Sequence, residues 1–140
     1  MKIFAERYHD ISCGHRVVGH ENKCSHLHGH NYRIHFSVMA EQLDNVGRVM
    51  DFSIIKSTLC QWLEDNFDHK FLMWEKDPYL ATLKALSPES MVVVSFNPTA
   101  ENIGAYLLNE VAPKLLKDTG CTLVKCVVEE TRKCKVEVSL

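Results

Sequence analysis

The sequence of 140 residues lacks several features that would each mark a particular class of protein. It contains no apolar run of about 18 residues, so no transmembrane helix is expected. Its formal net charge of −2 leaves no basic excess, which argues against a general nucleic-acid binder. No two cysteines are spaced Cys-x-x-Cys, and a structural zinc site built on cysteine pairs is therefore not expected. A Gly-rich dinucleotide loop is also missing, so no nicotinamide cofactor is expected.

The remaining composition is that of an ordinary globular protein, and the length fits a single domain over residues 1–140. Six cysteines are present, but the chain is not short, and residues 1–8 lack the long apolar core of a signal peptide. We therefore expect reduced thiols and a cytoplasmic protein rather than a disulfide framework.

Alternating and β-branched segments predict the strands of an α+β fold with helices on one face of a sheet. Four strands are expected, over residues 2–13, 29–40, 122–129 and 133–138. The last two would form a closing hairpin. Such a sheet has free edges and one poorly covered face, and oligomerisation is a natural way to satisfy both.

Apolar residues at helical spacing predict two helices. The first covers residues 51–66, with Asp51 as a possible cap. The second opens at residues 97–99, is capped by Thr99 and ends at Gly120. Between the helices we expect an irregular region with a short helical turn and a β-branched run.

His28-Gly29-His30 is the most informative segment of the chain. Histidines at i and i+2 share a face only where the backbone is extended, and the residues that follow do alternate as in a strand. His15, some 13 residues upstream across a loop, is the best candidate for a third imidazole. Three histidines leave one position of a tetrahedral zinc open, as a catalytic site requires.

Other ligand sets stay open, because two histidines at this spacing can also be a solvated strand face. His26 shares strand parity with His28 and is the principal alternative ligand. Cys13 is another, although a buried apolar role is the commoner fate of a free cysteine. Cys24 lies four residues before His28 and could face the same centre as a thiolate.

Two further polar segments carry possible chemistry. Asp68-His69 follows the first helix, where it could be an ordinary ion pair or an imidazole oriented by a carboxylate and paired with Cys24. Glu129-Glu130 ends a predicted strand. It could be a polar strand end, or it could grip the N–H donors of a guanidine-like heterocycle in a bidentate way.

Taken together, these segments resemble the family of 6-pyruvoyltetrahydropterin and 6-carboxytetrahydropterin synthases. They occur in the family's order over nearly the whole chain, and their joint match is highly specific. The matching segments are Cys13-Gly14-His15-Arg16, residues 24–32, 47–52, Asp68-His69, residues 97–102 and Glu130-Thr131.

The resemblance implies a tunnelling fold, in which a four-stranded antiparallel sheet carries two helices on one side. Three subunits would close a twelve-stranded barrel, and two trimers would stack into a hexamer. It also implies that zinc is bound by His15, His28 and His30.

The resemblance further assigns the chemistry. It implies that Cys24, Asp68 and His69 form a proton-transfer triad drawn from two subunits. Glu130 would anchor the 2-amino group and N3–H of a pterin ring, with Thr99 nearby. The substrate would be 7,8-dihydroneopterin triphosphate, and no nucleic acid or membrane is implied as a partner.

Two branches of the family differ in the spacing between the cysteine and His-Gly-His. Three residues separate Cys24 from His28, which favours the 6-carboxy branch, an early step toward queuosine. A 6-pyruvoyl synthase and a non-catalytic zinc-binding pterin module are the alternatives. Two departures from the family pattern occur: Ile11-Ser12-Cys13-Gly14-His15 replaces the usual Phe-x-Ala-Ala-His, and the region over residues 73–96 is longer than in the shortest members.

Overall fold

A six-stranded sheet is the frame of the protein in the computed structural model, which describes residues 1–140. Its strands are β1 Ala5–His15, β2 His28–Ala40, β3 Phe71–Trp74, β4 Met91–Val94, β5 Cys121–Glu129 and β6 Lys135–Ser139. In space they follow the order β4-β3-β1-β2-β5-β6. The four longest strands are therefore neighbours in the order β1-β2-β5-β6.

Every pairing among these four strands is antiparallel, so the predicted four-stranded antiparallel sheet is confirmed. The structure adds two strands that the sequence did not predict. β3 and β4 are parallel to each other, and β3 joins β1 only through Gly14 and His15. Each added strand has only four residues, so its pairing depends on tertiary contacts more than on its own sequence pattern.

Two long helices match the predicted ones in place. Helix α1 covers residues 52–66 and is made of Phe52–Ile55, a π-helical turn Lys56–Cys60 and Gln61–Asn66. Helix α2, Leu80–Leu86, is short. Helix α3 covers residues 100–115 and is made of Ala100–Tyr106, a π-helical turn Leu107–Val111 and Ala112–Leu115.

The caps were predicted better than the ends. The side chain of Asp51 accepts a hydrogen bond from the Ser53 N–H at 2.8 Å, and Thr99 accepts one from the Asn102 N–H at 3.1 Å. The prediction that the second helix ends at Gly120 was wrong. The helix ends at Leu115, because the backbone leaves the helical region at the next residue, and Gly120 instead has a φ of 74° just before β5.

The core lies between the two long helices and one face of the sheet. It is a single cluster of 23 buried residues. Much of the sheet's share comes from strand residues of one parity, among them Ile11, Cys13, Tyr32, Ile34, Phe36, Cys126 and Val128. The three predicted metal histidines have this same parity, so they continue the core-facing row at the end of the sheet.

The six cysteines are all free thiols. Three of them, Cys13, Cys60 and Cys126, are buried. In this structure no helix has both the length and the apolar character needed to cross a bilayer.

Gly14 explains one departure from the family's usual sequence. It lies opposite Phe71 in the β1–β3 pairing, and the Phe71 ring covers it. A Cβ atom on Gly14 would lie 2.3 Å from Cδ2 of Phe71. The absence of a side chain therefore lets β3 pair beside the last residues of β1.

We predict that Gly14→Ala lowers the free energy of unfolding by about 1–3 kcal/mol, because the added methyl group overpacks against Phe71. Urea denaturation would measure the change. The double variant Gly14→Ala/Phe71→Ala is the control, and it should be less destabilised by the alanine at position 14. Equal destabilisation by Gly14→Ala in both backgrounds would show that the Phe71 ring is not the cause.

Candidate metal centre

The pairing of β1 with β2 brings three histidines together. His15 lies directly opposite His28, and Cys13 lies opposite His30. Since His28 and His30 are two residues apart, both point to the face that His15 occupies. The Nε2 atoms of His15 and His28 are 3.0 Å apart. The His30 ring centroid lies 5.2 Å from that of His15 and 4.9 Å from that of His28.

Glu130, directly after β5, adds a carboxylate to this group. Its Oε1 lies 2.8 Å from Nε2 of His30 and 3.8 Å from Nε2 of His15. Four side chains can each supply one donor atom, and these atoms all lie within 4.8 Å of one another: His15, His28, His30 and Glu130. Imidazole nitrogens with a carboxylate oxygen are a donor set suited to zinc and similar divalent ions.

Backbone carbonyl groups orient two of the imidazoles. Nδ1 of His15 lies 2.7 Å from the Pro98 oxygen, and Nδ1 of His28 lies 2.7 Å from the His26 oxygen. A carbonyl can only accept, so each Nδ1 carries the proton and each Nε2 presents a lone pair to the centre. His26, the principal alternative ligand, thus enters the site through its backbone and lies outside the donor group.

A buried nitrogen without a hydrogen-bond partner indicates that the donor group fits a metal ion. Nε2 of His30 is buried, and its only polar contact is an ion-pair contact of 2.8 Å with Oε1 of Glu130 that does not count as a hydrogen bond. An unpaired buried donor or acceptor costs about 1–3 kcal/mol. A cation among the four side chains would satisfy this nitrogen.

Burial also keeps two of these histidines neutral. It is the largest cause that lowers the pKa of His15 and of His30, and the neighbouring imidazole of His28 lowers both further. Glu130 opposes this by raising both pKa values, as the bond to Pro98 does for His15. The net lowering leaves unprotonated nitrogens available to a cation at neutral pH.

The two cysteines of the predicted site differ in environment. Cys13 is buried, and burial raises the pKa of its thiol to about 12, with the charge of Asp68 adding to the effect. It is therefore a neutral apolar group beneath the site rather than a thiolate. Cys24 lies on a short 3₁₀ turn, Lys23–Ser25, and is only partly buried.

Tyr32 packs among the candidate metal donors. Its ring packs edge-on against those of His15 and His30, with centroids 5.9 and 5.5 Å away. The pKa of Tyr32 is raised chiefly by burial and then by Glu130, Cys13 and Cys24, which all lie near its hydroxyl. The backbone N–H of Val17 donates to the Cys24 oxygen at 2.8 Å, so the turn that carries Cys24 lies beside the chain just after His15.

Asp68 and His69 lie along the edge of β1 that β2 leaves open. Asp68 accepts a hydrogen bond from the Ser12 N–H at 2.9 Å, and the His69 N–H donates to the Ser12 oxygen at 2.7 Å. The other carboxylate oxygen of Asp68 lies 2.8 Å from Nδ1 of His69. The His69 side chain is 79% exposed, and neither residue hydrogen-bonds to Cys24 within the chain.

A cleft of about 390 Å³ lies beside this edge, over the face of β1 and β2 opposite to the metal donors, because its lining residues Ser12, Gly14, Gly29 and Asn31 have the opposite strand parity. Its lining includes His30 at one end and His69 at the other, with Gly14 and Gly29 between them. Neither His15 nor Glu130 lines this cleft, so within one chain it does not open onto the whole donor group.

Thr99 is placed near the metal centre by the residue before it. The oxygen of Pro98 accepts a hydrogen bond from Nδ1 of His15, and the hydroxyl of Thr99 caps α3. Sequence analysis did not identify the carbonyl groups of Pro98 and His26 as part of the site, because a backbone oxygen carries no signal of residue type. It assigned Glu130 to the substrate and not to the metal centre. The pair of carboxylates at the end of a predicted strand had already indicated that Glu130 belongs to a functional site.

The chain is similar to known proteins over nearly its whole length. The family model described as 6-pyruvoyl tetrahydropterin synthase matches residues 5–139. A relative from Rickettsia typhi, named 6-carboxy-5,6,7,8-tetrahydropterin synthase, is 37% identical over 130 residues, which cover 92% of this chain and 94% of the relative.

Solved structures share the fold. That of an uncharacterized protein from Wolinella succinogenes superposes with a TM-score of 0.86 at 24% identity, covering 99% of this chain and 98% of the other. The 6-pyruvoyl tetrahydropterin synthase of Caenorhabditis elegans gives a TM-score of 0.71 at 22% identity, covering 100% and 96%.

We predict that the purified protein binds one divalent transition-metal ion per chain and that His28→Ala loses it, because one of three imidazoles is gone. Elemental analysis after dialysis against a defined metal buffer would measure the content. His26→Ala is the matched control and should keep its metal, since only its carbonyl takes part. Full metal content in His28→Ala would show that other residues are the ligands.

Proposed function

The chain belongs to the 6-pyruvoyl tetrahydropterin synthase family, and we propose that it is a 6-carboxy-5,6,7,8-tetrahydropterin synthase. It would convert 7,8-dihydroneopterin triphosphate and one water molecule to 6-carboxytetrahydropterin, triphosphate and acetaldehyde. The observation that carries this proposal is the grouping of three histidines and Glu130 in one site, beside the turn that carries Cys24. A structural protein would have no use for such a partly open donor set.

We assign zinc to His15, His28 and His30. Their bare Nε2 atoms and the unsatisfied nitrogen of His30 support this assignment. Zinc bound there would act as a Lewis acid toward the hydroxyl groups of the substrate side chain. The role of the three imidazoles is to present neutral nitrogens in a fixed arrangement, which burial and the two carbonyl groups maintain.

Glu130 is assigned to the pterin ring. Its carboxylate is half-buried and contacts His30 through one oxygen, Oε1, and it would accept from the 2-amino group and N3–H of a pterin. Thr99 would contribute its hydroxyl proton, because its oxygen already accepts from the Asn102 N–H. Both residues lie beside His15, so the ring would be held next to the metal centre.

Cys24 is assigned as the base that takes a proton from the substrate side chain. Asp68 would orient His69, as their 2.8 Å contact already does, and the imidazole would exchange a proton with Cys24. Within one chain His69 faces solvent, so its partner thiol would come from a neighbouring copy.

The open edges of the sheet support such an assembly. β6 has no neighbour on its outer side, and the first nine residues of β1 pair with β2 alone. Pairing of β6 of one copy with β1 of the next would continue the sheet, and three copies would close a twelve-stranded barrel. We propose a hexamer of two such trimers, located in the cytoplasm, where the six thiols would stay reduced.

The product distinguishes this proposal from its alternatives. The three-residue spacing between Cys24 and His28 favours the 6-carboxy product and a place in queuosine synthesis. A 6-pyruvoyl synthase would release triphosphate without acetaldehyde. A non-catalytic pterin-binding module would release neither.

We predict that the protein with zinc releases acetaldehyde and triphosphate in equal amounts from 7,8-dihydroneopterin triphosphate. Coupled reduction of the aldehyde and mass analysis of the pterin would measure both. Boiled protein and protein stripped of metal are the controls. A pyruvoyl pterin without acetaldehyde would overturn the 6-carboxy assignment while leaving the family intact.

We further predict that two variants separate chemistry from binding. Cys24→Ala should lose about 10²–10⁴-fold in single-turnover rate with pterin affinity retained, because a general base is removed. Glu130→Ala should weaken pterin binding by about 1.5–3 kcal/mol, because the ring loses a charged acceptor. Stopped-flow turnover, fluorescence titration and metal content would be measured for both. Normal turnover by Cys24→Ala would shift the role of base to His69.

A further inference from the structure

A buried ion pair lies directly behind the metal centre. Arg16, the residue after the ligand His15, is 8% exposed, and Asp77 is 5% exposed. Nε and Nη2 of Arg16 donate to the two carboxylate oxygens of Asp77 at 2.8 and 3.1 Å. The guanidinium carbon also lies 3.9 Å from the centroid of the Tyr79 ring. The side chain of Arg16 is thus fixed in orientation on two sides.

The remaining nitrogen of Arg16 reaches the turn that carries Cys24. Nη1 donates to the Ser25 oxygen at 2.8 Å, and the backbone N–H of Val17 donates to the Cys24 oxygen at 2.8 Å. These are the only hydrogen bonds that join residues 23–25 to any part of the chain outside residues 22–26. The turn has no buried residue and no side-chain cap, so apolar packing does not hold it.

The ion pair of Arg16 and Asp77 is better suited to fixing the position of neighbouring groups than to stabilising the fold. Removing two charges from water costs free energy that their attraction hardly exceeds, so a buried pair is weak evidence of stabilisation. The planar guanidinium, in contrast, offers several donors in fixed directions. One group therefore binds Asp77 with two nitrogens and still directs a third at Ser25, which a lysine ammonium could not do.

We propose that Arg16 is a positioning residue for Cys24. Asp77 and Tyr79 hold the guanidinium, and the guanidinium in turn holds the Lys23–Ser25 turn so that the thiol stays beside the metal centre. His15, the last residue of β1, is a proposed metal donor, and the next residue, Arg16, fixes the thiol. The positions of both groups therefore depend on the same end of β1. This inference rests on the proposed role of Cys24 for its catalytic consequence.

The first test measures the position of Cys24 without catalysis. Arg16→Lys should make Cys24 react severalfold faster with iodoacetamide at fixed pH, because the turn is released. Peptide mass mapping would follow Cys24, and the exposed Cys134 on the last hairpin is the internal standard. Tyr79→Phe keeps the ring beneath the guanidinium and should leave the ratio unchanged.

The second test measures turnover. Arg16→Lys should lose on the order of 10²-fold in single-turnover rate, the size expected for a misplaced reacting group, with metal content and pterin affinity unchanged. In the Cys24→Ala background the same change should cost nothing further, because the effect acts through the thiol. Arg48→Lys, which alters an exposed arginine paired with Asp44 and Asp51, is the control for a lost guanidinium elsewhere.

Each outcome supports or overturns the proposal. It is overturned if Arg16→Lys leaves the alkylation ratio unchanged, or if its loss of rate persists in full without Cys24. If Cys24→Ala turns over normally, the proposed role of Cys24 fails, and the alkylation ratio still decides whether Arg16 holds the turn. Should Arg16→Lys not fold, Asp77→Asn, which loosens the same guanidinium, gives the same two measurements.

Discussion

The antiparallel register of β1 and β2 is the constraint on which the site depends. It sets His15 opposite His28 and Cys13 opposite His30, and the two-residue period then places three imidazoles on one face. A slip by one residue would turn the histidines of one strand to the other face and abolish the donor group. Because the same parity buries Ile11, Tyr32 and Ile34, the hydrophobic core fixes the register that the metal centre needs.

Helix α3 ties the site to the rest of the core. Its cap Thr99 follows Pro98, whose carbonyl holds the buried His15, so packing of the helix against β5 and β6 also positions a ligand. Asn97, one residue earlier, exchanges two hydrogen bonds of 2.9 Å with the backbone of Val18. The end of β1 and the start of α3 therefore move as one unit, which limits the freedom of the imidazole.

The parts of this arrangement that sequence could predict are those with a periodic or side-chain signal. Alternation in β2 and its histidine spacing predicted the donor set, and the polar caps predicted both helix starts. β3 and β4 were missed because strands of four residues depend on partners that only the folded chain supplies. The carbonyl groups that orient His15 and His28 were missed because every residue has one. Within one chain neither Asp68 nor His69 hydrogen-bonds to Cys24, so their pairing through a neighbouring copy stays a prediction.

The proposed functional groups differ in how rigidly the fold holds them, and the differences follow their proposed roles. The metal donors stand on two long paired strands, where backbone hydrogen bonds and the core resist displacement. Asp68 and His69 hang on the backbone of Ser12 at a sheet edge, where they can meet another copy of the chain. The thiol stands on an uncapped turn without buried residues. Such a turn holds a reacting group in a fixed position only if a rigid group binds the turn. In this fold the guanidinium of Arg16, held by Asp77, is the group that does so.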